Sequence, residues 1–232
     1  MDVAELTADE IQARVLHRDG LMLVIDKPAG LPVHRGPKGG PNLEASFDAL
    51  RFGLPRPPVL AHRLDKDTSG CLVLGRHRKA TASLGLLFKH GKIAKTYWAI
   101  VEGGPAEDEG TIDMPLGRLN AERGWWQKVD PEGQQAVTNW KVMGRGEGLT
   151  WLALEPITGR THQLRVHSSA QGWPIFGDNI YGNGPRFGEP RLHLHSREIG
   201  IPISKNKEPV RVVAPAPKHM RERLRACGWN GE

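Results

Sequence analysis

The sequence has little cysteine, no long apolar run and no recognisable leader. Two cysteines among 232 residues, Cys71 and Cys227, are too few for a disulfide framework, and we expect no disulfide-linked partner. No segment approaches the roughly 18 consecutive apolar residues of a membrane span. Residues 1–5 have neither the basic region nor the apolar stretch of a signal peptide. We therefore expect a cytoplasmic protein that does not span a membrane.

The common cofactor and metal motifs are also missing. There is no GxxxxGK[ST] phosphate loop, no GxGxxG after a predicted strand, no HExxH and no cysteine pair with zinc-ligand spacing. The pairs His193/His195 and His162/His167 leave a metal hydrolase as a weak alternative. Residues 65–68 superficially resemble the aspartyl-phosphate signature DxDx[TV], but their threonine stands one residue too early. We therefore expect no cofactor and no bound metal.

Composition and charge favour a folded protein with an anionic partner. Hydrophobic residues make up 38% of the chain, enough for a core, while 28 glycines and 18 prolines predict many turns and ordered loops. The net charge of +6 is typical of proteins that bind nucleic acid or an anionic membrane surface. Part of the excess lies in residues 205–225, which form either a solvated helix face or a face toward RNA.

Apolar runs and amphipathic segments alternate along the chain and predict an α+β fold with a mainly antiparallel sheet. Strands are predicted at residues 21–25, 71–75, 94–101, 136–143, 149–155, 192–197 and 210–213. Helices are predicted at residues 43–52, 78–89, 162–171 and 217–226. The sequence has no internal repeat, low-complexity tract or clear linker, so we expect one domain, which can be divided into two lobes around a cleft.

Residues 62–70, with the sequence HRLDKDTSG, form a strongly polar segment between two apolar runs. Such a segment is typical of a loop held on a rigid scaffold, where catalytic groups concentrate. Arg63 and Lys66 favour the charged form of Asp65, and an anionic carboxylate suits nucleophilic attack or proton abstraction. The alternative is structural, because Asp65 and Asp67 also suit the capping of a turn.

A second polar segment covers residues 155–167. Thr161 is predicted to be the N-cap of the helix that follows. On that helix His162 and Arg165 are three residues apart and share a face. Arg160 adds positive charge near the helix N-terminus, whose unpaired N–H groups attract anions. The segment predicts either a phosphate or carboxylate cradle or an ordinary amphipathic helix with a basic outer face.

Two aromatic segments also have two interpretations each. Tyr97 lies in a predicted strand, where an aromatic side chain is usually core but can also hold a base removed from its stack. Trp125 and Trp126 stand at the centre of a polar excursion over residues 118–135, which predicts a hairpin or lid. Structurally, this excursion is either a hydrophobic plug or a surface loop prone to crystal contacts.

Six segments, in order, resemble the motifs of the RluA-type pseudouridine synthases. The strongest is residues 62–70, which match HRLDxxTSG residue for residue. The others are residues 26–34 (KPxGxxxH), 95–103 (KxYxAxVxG), 157–167 (TGRxHQLRVH), 177–182 (GDxxYG) and 192–195 (LxLH). Together they span the chain from about residue 15 to 215.

The resemblance implies an isomerase that converts specific uridines of tRNA or rRNA to pseudouridine by base flipping. Asp65 is then the catalytic aspartate, which attacks or deprotonates the nucleoside during cleavage of the glycosidic bond. Tyr97 packs on the flipped uracil and assists removal of the proton from C5. Arg165 pairs with Asp65 and holds it anionic and oriented. A non-catalytic RNA-binding protein or RNA chaperone is the alternative.

The resemblance also implies RNA contacts for His62, Arg63, Arg160 and His162. It places the excursion around Trp125 and Trp126 where the family has variable hairpins that grip RNA, so recognition of an RNA stem-loop is the functional alternative there. The expected fold is α+β, a mainly antiparallel mixed sheet with flanking helices and loops around a central catalytic cleft. We expect a single catalytic domain over residues 1–232, with its core at about 15–215, acting as a monomer. Because the first strand begins near residue 21, we expect no N-terminal S4-type domain, so RNA affinity must come from the catalytic domain itself.

Overall fold

The computed structural model describes residues 4–232 and divides the chain into two units. Unit 1 contains the described residues up to Ala94 together with Ser196–Pro215, and unit 2 contains Lys95–His195 together with Ala216–Glu232. Each unit therefore combines two separate stretches of sequence. Within residues 4–232, none of the helices has the length and apolar character needed to cross a bilayer.

Strands predominate over helices in both units. The strands are β1 (Val15–Arg18), β2 (Met22–Lys27), β3 (Val59–Leu60), β4 (Ser69–Gly75), β5 (Ala94–Glu102), β6 (Glu109–Asp113), β7 (Leu116–Arg118), β8 (Gln127–Val129), β9 (Val137–Gly146), β10 (Leu149–Pro156), β11 (Leu194–Ile201) and β12 (Val210–Val213). The α-helices are α1 (Ala8–Gln12), α2 (Arg78–Lys89), α3 (Gln163–Ala170) and α4 (Arg221–Ala226), and 3₁₀ helices cover Glu44–Leu50 and Lys218–Met220.

Unit 1 is built around the antiparallel pair β2–β4, which runs in register from Met22 opposite Gly75 to Lys27 opposite Gly70. β1 pairs with β2, β3 pairs with β4, and β12 pairs with the end of β11. Side chains of β2, β4 and α2 meet in one core cluster, which includes Met22, Val24, Cys71, Val73 and Leu84. Cys71 is completely buried in this cluster.

Gly70 lies where the polar segment enters β4. Its φ angle is +109°, and a Cβ atom added to it would lie 2.2 Å from the backbone oxygen of Ser196. Only glycine fits such a close approach in this backbone conformation. The glycine that ends the HRLDxxTSG segment therefore fixes the point at which the Asp65 loop joins the sheet.

Unit 2 has an antiparallel sheet in the order β5–β10–β9–β6 and a separate hairpin formed by β7 and β8. Leu154 of β10 lies opposite Tyr97 of β5. One core cluster covers this sheet with α3 and includes Ala99, Leu152, Leu154, Leu164 and Trp173. A second cluster packs Met220 and Leu224, at the C-terminal helices, against Trp98 and Trp151.

The strand pairs and flanking helices confirm the predicted α+β fold class. α2 begins and ends at the predicted residues, whereas the helix predicted at residues 43–52 is a 3₁₀ helix over Glu44–Leu50. β1, β3 and β6 were not predicted. In β6 only Ile112 is buried, so this strand has no apolar alternation that the sequence could display.

Candidate active site

Asp65 lies in the loop between β3 and β4 of unit 1. The loop contains a tight turn in which the Thr68 amide donates to the Asp65 carbonyl at 3.1 Å. Leu64, directly before the turn, is buried in the core, while Asp65 itself is half-buried. Burial of Leu64 therefore anchors the loop, while the neighbouring Asp65 carboxylate stays partly accessible.

A buried lysine holds this turn from beneath. Lys27, at the end of β2, has no exposed surface, and its Nζ donates to three backbone carbonyls. These are Pro28 at 2.9 Å, Lys66 at 2.8 Å and Thr68 at 2.8 Å. Burial lowers the pKa of Lys27 to about 7, and the nearby carboxylates of Asp67 and Asp65 act against that decrease. The ammonium thus binds the carbonyls of two residues in the Asp65 turn.

The role of Lys27 was not predicted from the sequence. The sequence contained a signal for this role, because Lys27 follows an apolar run and one aspartate and stands directly before a proline. A lysine is almost never fully buried unless its charge has partners. Burial also raises the pKa of the neighbouring Asp26 to about 6, although the positive charges of Arg14 and Lys27 act to lower it.

Two residues predicted to contact RNA lie beside Asp65 in the chain. His62 is half-buried, its Nε2 accepts from the Val73 amide at 3.0 Å, and its ring stacks on Phe88 with centroids 4.2 Å apart. Arg63 is exposed. His62 therefore helps to attach the loop to unit 1, whereas Arg63 projects into solvent, and RNA contact by either residue remains a prediction.

Arg165 lies in α3 of unit 2 and is 3% exposed. Its Nε donates to Asp178 Oδ2 at 2.9 Å and its Nη2 to Asp178 Oδ1 at 2.7 Å, a two-point ion pair. Burial alone would raise the pKa of Asp178, but the hydrogen bonds and charge of Arg165 lower it overall. The sequence did not predict this partner, and the pairing of Arg165 with Asp65 stays a prediction.

His162 does not lie on the helix face predicted for it. It precedes α3 with a left-handed backbone, φ 52° and ψ 19°, and it is the N-cap residue without a side-chain cap. The prediction of Thr161 as the N-cap is therefore wrong. The Gln163 side chain instead closes this turn, because its Oε1 accepts from the Arg160 amide at 3.1 Å and from the Thr158 hydroxyl at 2.6 Å.

Two more predicted residues lie in unit 2. Arg160 is exposed, and its Nε donates to the Gln135 carbonyl at 2.9 Å. Tyr97 is half-buried in β5 and packs partly against the cluster that contains Ala99 and Leu154. One part of Tyr97 therefore faces the core, as expected of an aromatic side chain in a strand. The other part is accessible, as contact with a base would require.

The hairpin predicted around Trp125 and Trp126 is present as β7 and β8. Trp125 is 66% exposed, so it does not act as a hydrophobic plug. The Arg123 guanidinium lies 4.3 Å from the Trp126 ring centroid, which is a cation–π arrangement. The hairpin therefore presents the exposed indole of Trp125, and its neighbour Trp126 carries the positive charge of Arg123 on its ring.

The histidines of the metal alternative have protein partners. His167 bonds through Nδ1 to the Thr138 hydroxyl at 2.8 Å and through Nε2 to the Met114 carbonyl at 2.9 Å. Burial lowers the pKa of His193 to about 4, so it is neutral near pH 7. Among residues 4–232 no three His, Cys, Asp or Glu side chains are grouped so that they could hold a metal ion.

Comparison with known proteins gives the family. Residues 21–170 match the family model described as RNA pseudouridylate synthase. An uncharacterized RNA pseudouridine synthase of Zymomonas mobilis is 44% identical over 207 residues, which are 88% of this chain and 94% of the relative. Ribosomal large subunit pseudouridine synthase C of Vibrio parahaemolyticus is 34% identical over 215 residues, covering 89% of this chain and 66% of that protein.

A solved structure agrees with the sequence comparisons. Human RNA pseudouridylate synthase domain containing 4 has a TM-score of 0.78 and 29% identity, and the match covers 94% of this chain and 95% of the human one. The fold class predicted from the sequence, that of the pseudouridine synthases, is confirmed by this likeness. The chain belongs to the RNA pseudouridylate synthase family.

Proposed function

We propose that this RNA pseudouridine synthase isomerises uridines in a tRNA or rRNA stem-loop, and that Asp65 carries out the chemistry. The reaction breaks the N1–C1′ bond, turns the base and joins C5 to C1′. C5 loses a proton and N1 gains one, so substrate and product are isomers. No electron is transferred and no energy source is consumed. An anionic carboxylate, a pocket for the base and exclusion of water are chemically sufficient.

The observation that carries this proposal is the anchoring of the Asp65 turn by Lys27. Placing an ammonium in the interior is unfavourable, as the lowered pKa of Lys27 indicates. Its hydrogen bonds are made to the carbonyls of Lys66 and Thr68, which follow Asp65 in the turn. An ordinary surface turn is stable without such an anchor. The arrangement therefore favours Asp65 as a positioned reactive group over Asp65 as a simple turn cap.

In this proposal Asp65 attacks C1′ or starts the cleavage by removing a proton, and both routes begin from the carboxylate. Tyr97 lies against the flipped uracil and assists loss of the C5 proton. Arg165 pairs with Asp65 and keeps it charged. A guanidinium has five N–H donors, and Asp178 engages those of Nε and Nη2, so the chemistry of Arg165 permits a second carboxylate partner.

RNA binding in this proposal combines backbone contacts with stacking. Arg63 and Arg160 are exposed guanidiniums suited to phosphate, and His62 and His162 add contacts near the flipped nucleotide. Trp125 offers an exposed face on which an unpaired base can stack. Flipping a uridine costs a few kcal/mol, and these contacts supply the compensating free energy.

The test is to map pseudouridines by carbodiimide modification in total RNA from cells with and without this protein. We expect one or a few uridines in tRNA or rRNA to lose their modification in its absence. The purified chain should then restore the same positions and release the hydrogen from C5 of uridine. An unchanged map, together with no C5 release from any RNA class, would contradict the proposal. We further propose a cytoplasmic monomer, which cell fractionation and sedimentation of the purified chain will test.

A further inference from the structure

Tyr181 lies at a junction of unit 2 that the proposed chemistry does not use. Its ring meets the His162 ring edge-on, with centroids 5.5 Å apart, and lies 5.4 Å from the Arg165 guanidinium carbon. Its backbone amide donates to Asp178 Oδ1 at 3.1 Å, and its carbonyl accepts from the Ser169 hydroxyl at 2.6 Å. The backbone of Tyr181 is therefore held on both sides, and its ring lies beside two residues of the proposed site.

The Tyr181 hydroxyl connects the hairpin with His162. The Gln127 amide of β8 donates to the Tyr181 hydroxyl oxygen at 2.9 Å, and that oxygen lies 2.6 Å from His162 Nδ1. Because an amide N–H can only donate, it occupies a lone pair of the phenol oxygen. This arrangement favours a hydroxyl proton directed at His162 Nδ1, which then accepts it. A neutral imidazole that accepts at Nδ1 carries its own proton on Nε2.

The backbone of His162 indicates that this orientation is specifically maintained. A non-glycine residue in the left-handed region is disfavoured, and such residues concentrate at functional sites. At His162 the left-handed conformation removes the residue from α3 and lets its ring meet Tyr181. The short hydrogen bond to the hydroxyl helps to offset the unfavourable backbone.

We infer that Tyr181 is a positioning residue, whose hydroxyl holds His162 as an Nε2–H donor for the RNA. This inference rests on the proposed function, in which His162 contacts RNA. A phosphate or ribose oxygen is an acceptor and requires a donor on the protein, which the Nε2–H tautomer provides. The same hydroxyl joins His162 to the backbone of β8, so the hairpin and the histidine are held in one arrangement.

The first test measures the tautomer directly. Long-range ¹H–¹⁵N correlation of histidine-labelled protein at about pH 8, where an ordinary imidazole is neutral, reports which His162 nitrogen carries the proton. We expect Nε2 to be protonated and Nδ1 bare in the wild type, and a mixture of both tautomers in Tyr181→Phe. Thr150→Val is the matched control, since it removes another hydroxyl of unit 2, one that donates to Gly103 at 2.6 Å. It should leave the His162 spectrum unchanged.

The second test separates positioning from general destabilisation. Tyr181→Phe should raise KM for the RNA by about threefold to tenfold, the effect of losing one hydrogen bond, and lower kcat by much less. His162→Ala should raise KM to a similar extent. The double variant should be no worse than the more severe single variant, because both substitutions remove the same contact.

Three results would overturn the inference. These are a protonated Nδ1 in wild-type His162, a tautomer unaffected by Tyr181→Phe, and effects of the two substitutions on KM that simply multiply. Failure of the proposed function would look different, since the wild-type chain would then form no pseudouridine on any RNA. The tautomer spectra do not depend on turnover and would still decide whether Tyr181 sets the donor.

Discussion

Replacing Lys27 with methionine removes the ammonium that binds three carbonyls around the Asp65 turn. Burial lowers the pKa of Lys27 from 10.5 to about 7 in the folded chain. Between these values the unfolded chain binds more protons than the folded chain, so the stability contributed by Lys27 rises with pH. This increase in stability is complete above the pKa that Lys27 has in the unfolded chain, and it is lost as the pH falls through the pKa that Lys27 has in the folded chain. From pH 7 to pH 9 it amounts to about 2 kcal/mol.

Urea denaturation of both proteins across this pH range measures the effect. The free energy of unfolding of the wild type, minus that of Lys27→Met, should increase by about 2 kcal/mol from pH 7 to pH 9. The variant should also be the less stable protein throughout, because methionine offers the carbonyls around Lys27 no donor. Lys66→Met is the matched control, since Lys66 is an exposed lysine of the same turn and its replacement should give a flat difference. A flat difference for Lys27→Met as well would refute the burial of its charge.

Three further predictions concern unit 2. Trp125→Ala should weaken RNA binding by about 1–3 kcal/mol through loss of base stacking and leave Tm unchanged. Fluorescence titration measures the RNA affinity, and a melting curve measures Tm. Leu86→Ala is the control, since Leu86 is another large apolar side chain and is 55% exposed. An unaltered RNA affinity of Trp125→Ala would show that the hairpin is not part of the RNA interface. Arg165→Met should lower isomerase activity and cost about 3–5 kcal/mol of stability, because it leaves the buried Asp178 carboxylate unpaired. Adding Asp178→Asn should restore stability without restoring activity, and normal turnover of Arg165→Met would contradict the proposed pairing with Asp65. Since the pKa of Asp178 is lowered in the fold, against the effect of its burial, its contribution to stability should persist above about pH 4 and disappear as the pH falls through the folded value.

Elements with a strong local pattern could be predicted from the sequence. The run from Arg78 to Lys89 has helical spacing of apolar residues and is followed by Gly91, which has the positive φ of a helix terminator. The apolar runs of β2 and β4 are buried strands, as predicted, and both faces of this pair are covered. In these segments local preference and tertiary burial agree, so the sequence alone predicts the helix and the two strands.

The start of α3 could not be predicted because tertiary contacts override a local signal there. Thr161 has the chemistry of an N-cap, yet the helix begins after His162, whose left-handed backbone lets its ring reach Tyr181. The turn is closed by the Gln163 side chain and not by a hydroxyl at the cap position. Such an exception to local preference is typical of functional sites.

Contacts between residues far apart in the sequence could not be predicted either. The motifs identified Lys27 and Arg165 as part of the family pattern, but not what they bind. Lys27 reaches carbonyls 39 and 41 residues further along the chain, and Arg165 meets Asp178, which follows it by 13 residues. No periodicity relates such pairs, so only the folded chain could identify the groups that support the candidate site.

In the proposed mechanism Asp65, and no other carboxylate of its turn, carries out the isomerisation. Asp65→Asn and Asp67→Asn are matched substitutions, since both remove one negative charge from the surroundings of Lys27. Single-turnover pseudouridine formation should be measured for both variants, after circular dichroism and RNA titration have established that each is folded and binds RNA. This role of Asp65 requires no detectable product for Asp65→Asn and ready formation for Asp67→Asn. Substantial product from Asp65→Asn would contradict it.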